Sequence, residues 1–166
     1  VPAVESVSTS TATNVVNKNG GEVELLPVGA RPNIGWAVDT NGNIQRTINK
    51  GNNWSVIKSR SVTSYYYDVF FINENVGWAV ESNGSISKTN NGGSTWTAQA
   101  SGVSNLLRDI FFINVNKGWA VGDGGRILRT VDGGSNWTIQ PHGAGAVSFY
   151  ALSFVSENTG WAVGSS

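Results

Sequence analysis

Along residues 106–140 the apolar positions fall into four short runs separated by glycine- and asparagine-rich stretches. The first holds Leu106, Leu107, Ile110, Phe111, Phe112 and Ile113, the second Trp119, Ala120 and Val121, the third Ile127 and Leu128, and the fourth Trp137 and Ile139. Short runs of β-branched and aromatic residues bounded by turn residues predict β-strands, here at 106–113, 118–121, 126–130 and 137–140. The first is apolar enough to be buried on both faces and is read as the innermost. The same pattern recurs along the chain: Gly-Trp-Ala-Val occurs four times, with its tryptophan at Trp36, Trp78, Trp119 and Trp161, at intervals of 42, 41 and 42 residues. A period of about 40–45 residues with four strands per unit is the signature of propeller blades. The expected fold is all-β, a β-propeller of about four blades, each a four-stranded antiparallel sheet.

The segments between strands carry the turn chemistry. Asn41-Gly42, Asn83-Gly84 and Gly124-Gly125 each begin five residues after a repeat tryptophan, and such pairs suit the positive φ angles of a two-residue type I′ hairpin. Between the third and fourth strands the string Thr-x-Asn/Asp-x-Gly-x-x-Trp, an Asp-box pattern, occupies residues 47–54, 89–96 and 130–137. Thr47, Thr89 and Thr130 open it. Asn49, Asn91 and Asp132 are expected to bond the backbone of their own turn. Gly51, Gly93 and Gly134 are expected to take strained dihedrals, and Trp54, Trp96 and Trp137 to pack between adjacent sheets. These twelve residues are read as a structural staple rather than a ligand site.

The string at residues 118–137, Gly-Trp-Ala-Val-Gly-Asp-Gly-Gly-Arg-Ile-Leu-Arg-Thr-Val-Asp-Gly-Gly-Ser-Asn-Trp, closely resembles the repeat of the photosystem II assembly-factor-like family of Asp-box, or BNR-type, β-propellers. Sialidase and sortilin propellers resemble it more distantly. The likeness runs over residues 22–164 and is specific for fold. For function it is weak, because one fold hosts many activities. What the family implies about blade number is a ring of seven.

By this grammar the blades cover residues 22–60, 61–102, 103–145 and 146–166, the last of them partial, with inner strands at 22–28 in the first blade and 149–155 in the fourth. The second strand of the fourth blade is placed at 161–164, and the sequence ends at Ser166, before a hairpin, third strand or Asp-box. Residues 1–21 form a Ser/Thr-rich N-terminal segment, and residues 4–16 within it are long enough to supply two strands. An unfinished blade exposes unpaired backbone groups, which native proteins cover. The expectation is that this segment completes the last blade in cis, or in trans between copies, where head-to-tail addition gives a fibre.

Composition narrows the chemistry. Eleven basic and eleven acidic residues cancel, and 13% of residues are charged, about half the usual share. Electrostatic attraction of nucleic acid is not expected. There is no cysteine, so disulfides and thiolate metal sites are excluded. No apolar run reaches about 18 residues, so no membrane span is expected. The first residue, Val1, is not methionine, and removal of a secretory signal gives the expectation of an extracellular or cell-surface protein.

Catalytic candidates are few. His142 is the sole histidine, and no Gly-x-Ser-x-Gly elbow accompanies it. Asp68 and Asp109 hold equivalent places ten residues before a repeat tryptophan, but blade four has Ala151 there. Hydrogen bonding at the strand start is the expected role. Asp39, Asn41 and Asn43 begin like a calcium loop whose twelfth position is Lys50 rather than glutamate. The reading is therefore no enzyme, no cofactor and no metal. A candidate binding mouth remains at the entrance of the inner strands, formed by Tyr66, Tyr67, Arg108 and Tyr150, where aromatic rings could anchor a peptide or stack on a sugar. The expected function is an extracellular structural or interaction module, self-assembling through strand addition. The alternative is a partner-binding assembly factor or glycan-binding lectin-like propeller. The partners are other copies or another protein, with a glycan as a further candidate.

Overall fold

A computed structural model describes residues 33–143 and 147–165. The expected inner strand at 22–28 and the segment at 4–16 lie outside these residues. The described residues form four antiparallel sheets in chain order and no helix. The first holds β1 (Gly35–Val38), β2 (Ile44–Thr47) and β3 (Ser55–Lys58). The second holds β4 (Tyr66–Phe71), β5 (Gly77–Glu81), β6 (Ile86–Thr89) and β7 (Thr97–Gln99). The third holds β8 (Leu107–Phe112), β9 (Gly118–Gly122), β10 (Arg126–Thr130) and β11 (Thr138–Ile139). The last is the hairpin of β12 (Ser148–Ser156) and β13 (Thr159–Ser165). Strands within a sheet are neighbours in sequence, as in propeller blades.

The apolar residues meet between blades rather than within them. One cluster joins Trp36, Val38 and Ile44 of the first blade to Tyr66, Val69, Phe71 and Ala79 of the second. The next joins Phe70, Trp78, Val80 and Ile86 to Leu107, Ile110, Phe112, Ala120 and Leu128 of the third. The first three repeat tryptophans each stack on a phenylalanine from the inner strand of the following blade: Trp36 on Phe71 at 3.8 Å, Trp78 on Phe112 at 3.5 Å and Trp119 on Phe154 at 3.8 Å between centroids. The glycine of Gly-Trp-Ala-Val makes this geometry available. A Cβ on Gly77 would lie 2.6 Å from the Phe71 ring, and one on Gly118 equally close to Phe112. Only a bare backbone lets the ring lie flat over its own sheet and reach the neighbouring blade.

The hairpins differ from the expected type I′ turn in two of three places. In the first two blades only the glycine is left-handed, Gly42 at φ 75° and Gly84 at φ 82°, while Asn41 and Asn83 are not. Gly42 N–H donates to Asp39 O and Gly84 N–H to Glu81 O, so a four-residue turn ends on its left-handed residue. In the third blade Gly124 and Gly125 both have positive φ. The asparagines keep ordinary dihedrals because the longer loop confines its left-handed step to one residue.

Candidate functional site

The Asp-box turns repeat one hydrogen-bond circuit. Thr89 Oγ1 donates to Asn91 Oδ1 at 3.0 Å and accepts from Gly93 N–H at 2.9 Å, while Asn91 Oδ1 also accepts from Thr95 N–H at 2.8 Å. Thr47 with Asn49 and Gly51, and Thr130 with Asp132 and Gly134, do the same. Gly51, Gly93 and Gly134 have φ of 84°, 92° and 91°. Hydrogen bonds from Asn136 and Thr130 hold the Asp132 carboxyl down at about 2. Trp96 meets Phe71 edge-on and Trp137 meets Phe112 edge-on, each at 5.9 Å. Trp54 is half-buried.

These turns also link blades. Trp36 Nε1 donates to Gly92 O at 3.2 Å, and Trp78 Nε1 to Gly133 O at 3.0 Å. Gly133 O further accepts from Lys88 Nζ and Gln99 Nε2. The carbonyl in the middle of the second and third Asp-boxes is thus an acceptor for the preceding blade. The sequence hides this, since donor and acceptor lie 56 and 55 residues apart.

The mouth is built by three equivalent irregularities. Pairing of β4 with β5 skips between Tyr66 and Asp68, that of β8 with β9 between Leu107 and Asp109, and that of β12 with β13 between Phe149 and Ala151. Tyr67, Arg108 and Tyr150 are the extra residues, and a bulge re-aims its extra side chain out of the alternation. The Arg108 guanidinium lies 5.9 Å from the Tyr67 ring centroid and 4.9 Å from that of Tyr150. Asp123 accepts from Arg108 through both carboxylate oxygens, at 2.6 and 3.1 Å. Those bonds raise the Arg108 pKa and lower that of Asp123, so the pair is a fixed, charged fork. Tyr66 does not join this group. The bulge turns it inward, where it is 6% exposed in the core beside Trp36 and Phe71, and burial and the Glu81 carboxylate push its hydroxyl up.

Beneath the mouth, Asp68 and Asp109 tie inner strands together. Asp68 is fully buried and accepts from Val69 N–H at 2.8 Å and from Ile110 N–H in the next blade at 2.9 Å. Asp109 accepts from Ile110 N–H and, in the fourth blade, from Leu152 N–H at 2.7 Å. Burial, with the neighbouring Asp109 charge, raises the Asp68 pKa well above the carboxylate range.

Asp39 accepts from Asn41 N–H, Asn43 N–H, Asn43 Nδ2 and Gln45 Nε2, which fills the carboxylate with donors from its own hairpin. His142 meets the Phe149 ring edge-on at 5.2 Å. Among the described residues no group of three His, Cys, Asp or Glu side chains is placed to hold a metal. No described helix is long and apolar enough to cross a membrane.

Two solved structures share this architecture. One, YCF48 from Cyanidioschyzon merolae, has a TM-score of 0.64 at 18% identity over 77% of this chain and 44% of its own. The other, YCF48 bound to D1 peptide, has a TM-score of 0.59 at 23% identity over 71% and 40%. A family model described as photosynthesis system II assembly factor YCF48 matches residues 88–166. The chain is a BNR-type β-propeller that resembles these assembly factors. It spans less than half the length of either YCF48 structure. No curated protein matches it. The likeness to YCF48 overturns the extracellular or cell-surface location expected from the sequence, since the matched proteins are factors of the photosynthetic machinery.

Proposed function

We propose that this chain is a non-enzymatic, protein-binding propeller unit that holds an extended segment of a partner across the mouth formed by Tyr67, Arg108 and Tyr150. The observation that carries the reading is the Arg108 guanidinium, set between two tyrosine rings and clamped by Asp123. Such a group offers a planar cation with its reach fixed beforehand, flanked by rigid aromatic area, the combination enriched at interface anchors. The similar structure described as YCF48 bound to D1 peptide supports a protein partner. The comparisons support this partner-binding reading over an extracellular fibre.

The test is a titration of labelled D1 peptide with the wild-type chain and with Arg108→Ala and Tyr150→Ala. Each substitution is expected to weaken binding by about tenfold, equivalent to about 1.4 kcal/mol, with circular dichroism unchanged. No binding by the wild-type chain, or binding that neither substitution moves, overturns the proposal.

A further inference from the structure

Each mouth residue stands directly before the place where its inner strand is tied to the next. Tyr67 precedes Asp68 on β4, Arg108 precedes Asp109 on β8, and Tyr150 precedes Ala151 and Leu152 on β12. The Ile110 amide lies 2.9 Å from an oxygen of each acid, so carboxyls of the second and third blades share one donor. Val69 N–H donates to Asp68 alone and Leu152 N–H to Asp109 alone. The two carboxyls also hydrogen-bond each other. Ionised carboxylates only accept, so that bond requires a proton on one of them. Among the described residues the ion pairs are Arg108 with Asp123 and Lys117 with Glu157, and neither includes these acids. Fully buried and with no cation paired to it, Asp68 is the partner that holds the proton.

We infer that this single proton regulates the mouth: in place, it draws β4 and β8 together and holds Tyr67 beside Arg108, and its release parts them and weakens partner binding. Two ionised carboxylates on one buried amide repel, and their low-dielectric surroundings screen them little. The displacement falls on the next residues in the chain, Tyr67 and Arg108, whose ring and guanidinium lie 5.9 Å apart. Both are bulge residues, skipped in the pairing with β5 and β9, so the ladder pins neither side chain. The other titratable groups on the strands packed here are engaged elsewhere. Glu81 at the end of β5 faces the Tyr66 hydroxyl, Asp123 after β9 is held by Arg108, and Tyr150 of β12 bonds Ser165 beside Arg108. The described strand of the first blade that packs on β4, β1, carries no titratable side chain. Burial and the Asp109 charge raise the Asp68 pKa, so the proton is kept through the ordinary carboxylate range and leaves above it. Binding is therefore strongest below the folded value and falls as pH rises through it. The inference rests on the protein-binding reading of the mouth and names its regulation.

Labelled D1 peptide is titrated from pH 5 to 9 with the wild-type chain, Asp68→Asn and Asp109→Asn, and the Arg108 Nε–H resonance is followed over the same range without peptide. Wild-type affinity is expected to fall about tenfold as pH rises, a usual size for coupling between two sites. The Arg108 resonance is expected to move in the same step. In Asp68→Asn the amide donates to Asp109 at every pH, so both steps are expected to vanish and the low-pH affinity to persist. Asp109→Asn removes the second charge and is expected to abolish them likewise, whereas His142→Gln is expected to keep them. Infrared spectra of the wild-type chain are expected to show a protonated carboxyl band above the ordinary carboxylate range, lost in that step; its absence overturns the inference whether or not the variants fold. A flat wild-type resonance, a step that survives in both asparagine variants, or one that His142→Gln abolishes overturns it too, and so does D1 binding that does not change with pH. If the wild-type chain binds no D1 peptide at any pH, the protein-binding reading fails by itself, and the resonance still decides whether the proton controls the mouth.

Discussion

Replacing Trp78 by alanine removes an indole that is fully buried between the second and third blades, stacked on Phe112 and donating to Gly133 O. A tryptophan buries about 200 Å² of side chain, so at about 25 cal/mol per Å² its removal costs about 5 kcal/mol, near the 3–5 kcal/mol typical of such truncations. Gly133 O is not orphaned, because Lys88 and Gln99 still donate to it, and the loss is therefore chiefly one of packing. Trp161 occupies the same place in the same motif but is 60% exposed. With about two fifths of that area buried, Trp161→Ala costs about 2 kcal/mol. The difference, about 3 kcal/mol, is read from urea unfolding followed by far-ultraviolet circular dichroism, with equal slopes required for the comparison. Equal losses for the two substitutions refute the reasoning, because they mean that Trp161 is as well covered in solution as Trp78.

Three further outcomes follow from the turns and the acid pair. Thr89→Val leaves the buried Gly93 N–H without its acceptor and is expected to cost about 1–3 kcal/mol in thermal unfolding, most of it restored by Thr89→Ser. Gly93→Ala meets both a left-handed φ of 92° and the Ile57 side chain, whereas Gly102→Ala at φ 76° meets nothing within 4 Å; differential calorimetry is expected to show about 1–2 kcal/mol for Gly102→Ala and a larger loss for Gly93→Ala. Asp68 and Asp132 act oppositely with pH. The raised Asp68 pKa gives stability that is complete below the ordinary carboxylate range and falls as pH rises through the folded value, whereas the lowered Asp132 pKa gives stability present above that range and lost as pH falls toward about 2. Melting temperatures from pH 2 to 8 are expected to lose the first component in Asp68→Asn and the second in Asp132→Asn.

What the sequence made legible was local or periodic. Thr89, Asn91 and Gly93 close their circuit within seven residues, so residue type and spacing contain nearly all of it. The blades were legible because Gly-Trp-Ala-Val recurs at nearly constant spacing. The mouth was only partly legible, since strict alternation in β4 gives no sign of the skipped pairing between Tyr66 and Asp68. That one bulge separates Tyr66, sealed in the core, from Tyr67 beside Arg108. The union of Asp68 with Ile110, 42 residues on, depends on how blades fan around an axis, a tertiary quantity that no single repeat specifies. The likeness to assembly factors was visible in residues 118–137, while location was not, because it rested on the first residue of the chain and on no physical property of the fold.

The first three repeat tryptophans point forward, each stacking on a phenylalanine and, in the first two blades, donating to a carbonyl that belongs to the following blade. The interface is therefore written half in one repeat and half in the next, with the tryptophan–phenylalanine stack common to all three seams. A duplicated or deleted unit, taken as one whole period, rejoins matching halves and creates no new surface. Blade number in such a lineage can change by a copying error of about 42 residues, without a single compensating substitution at the seam.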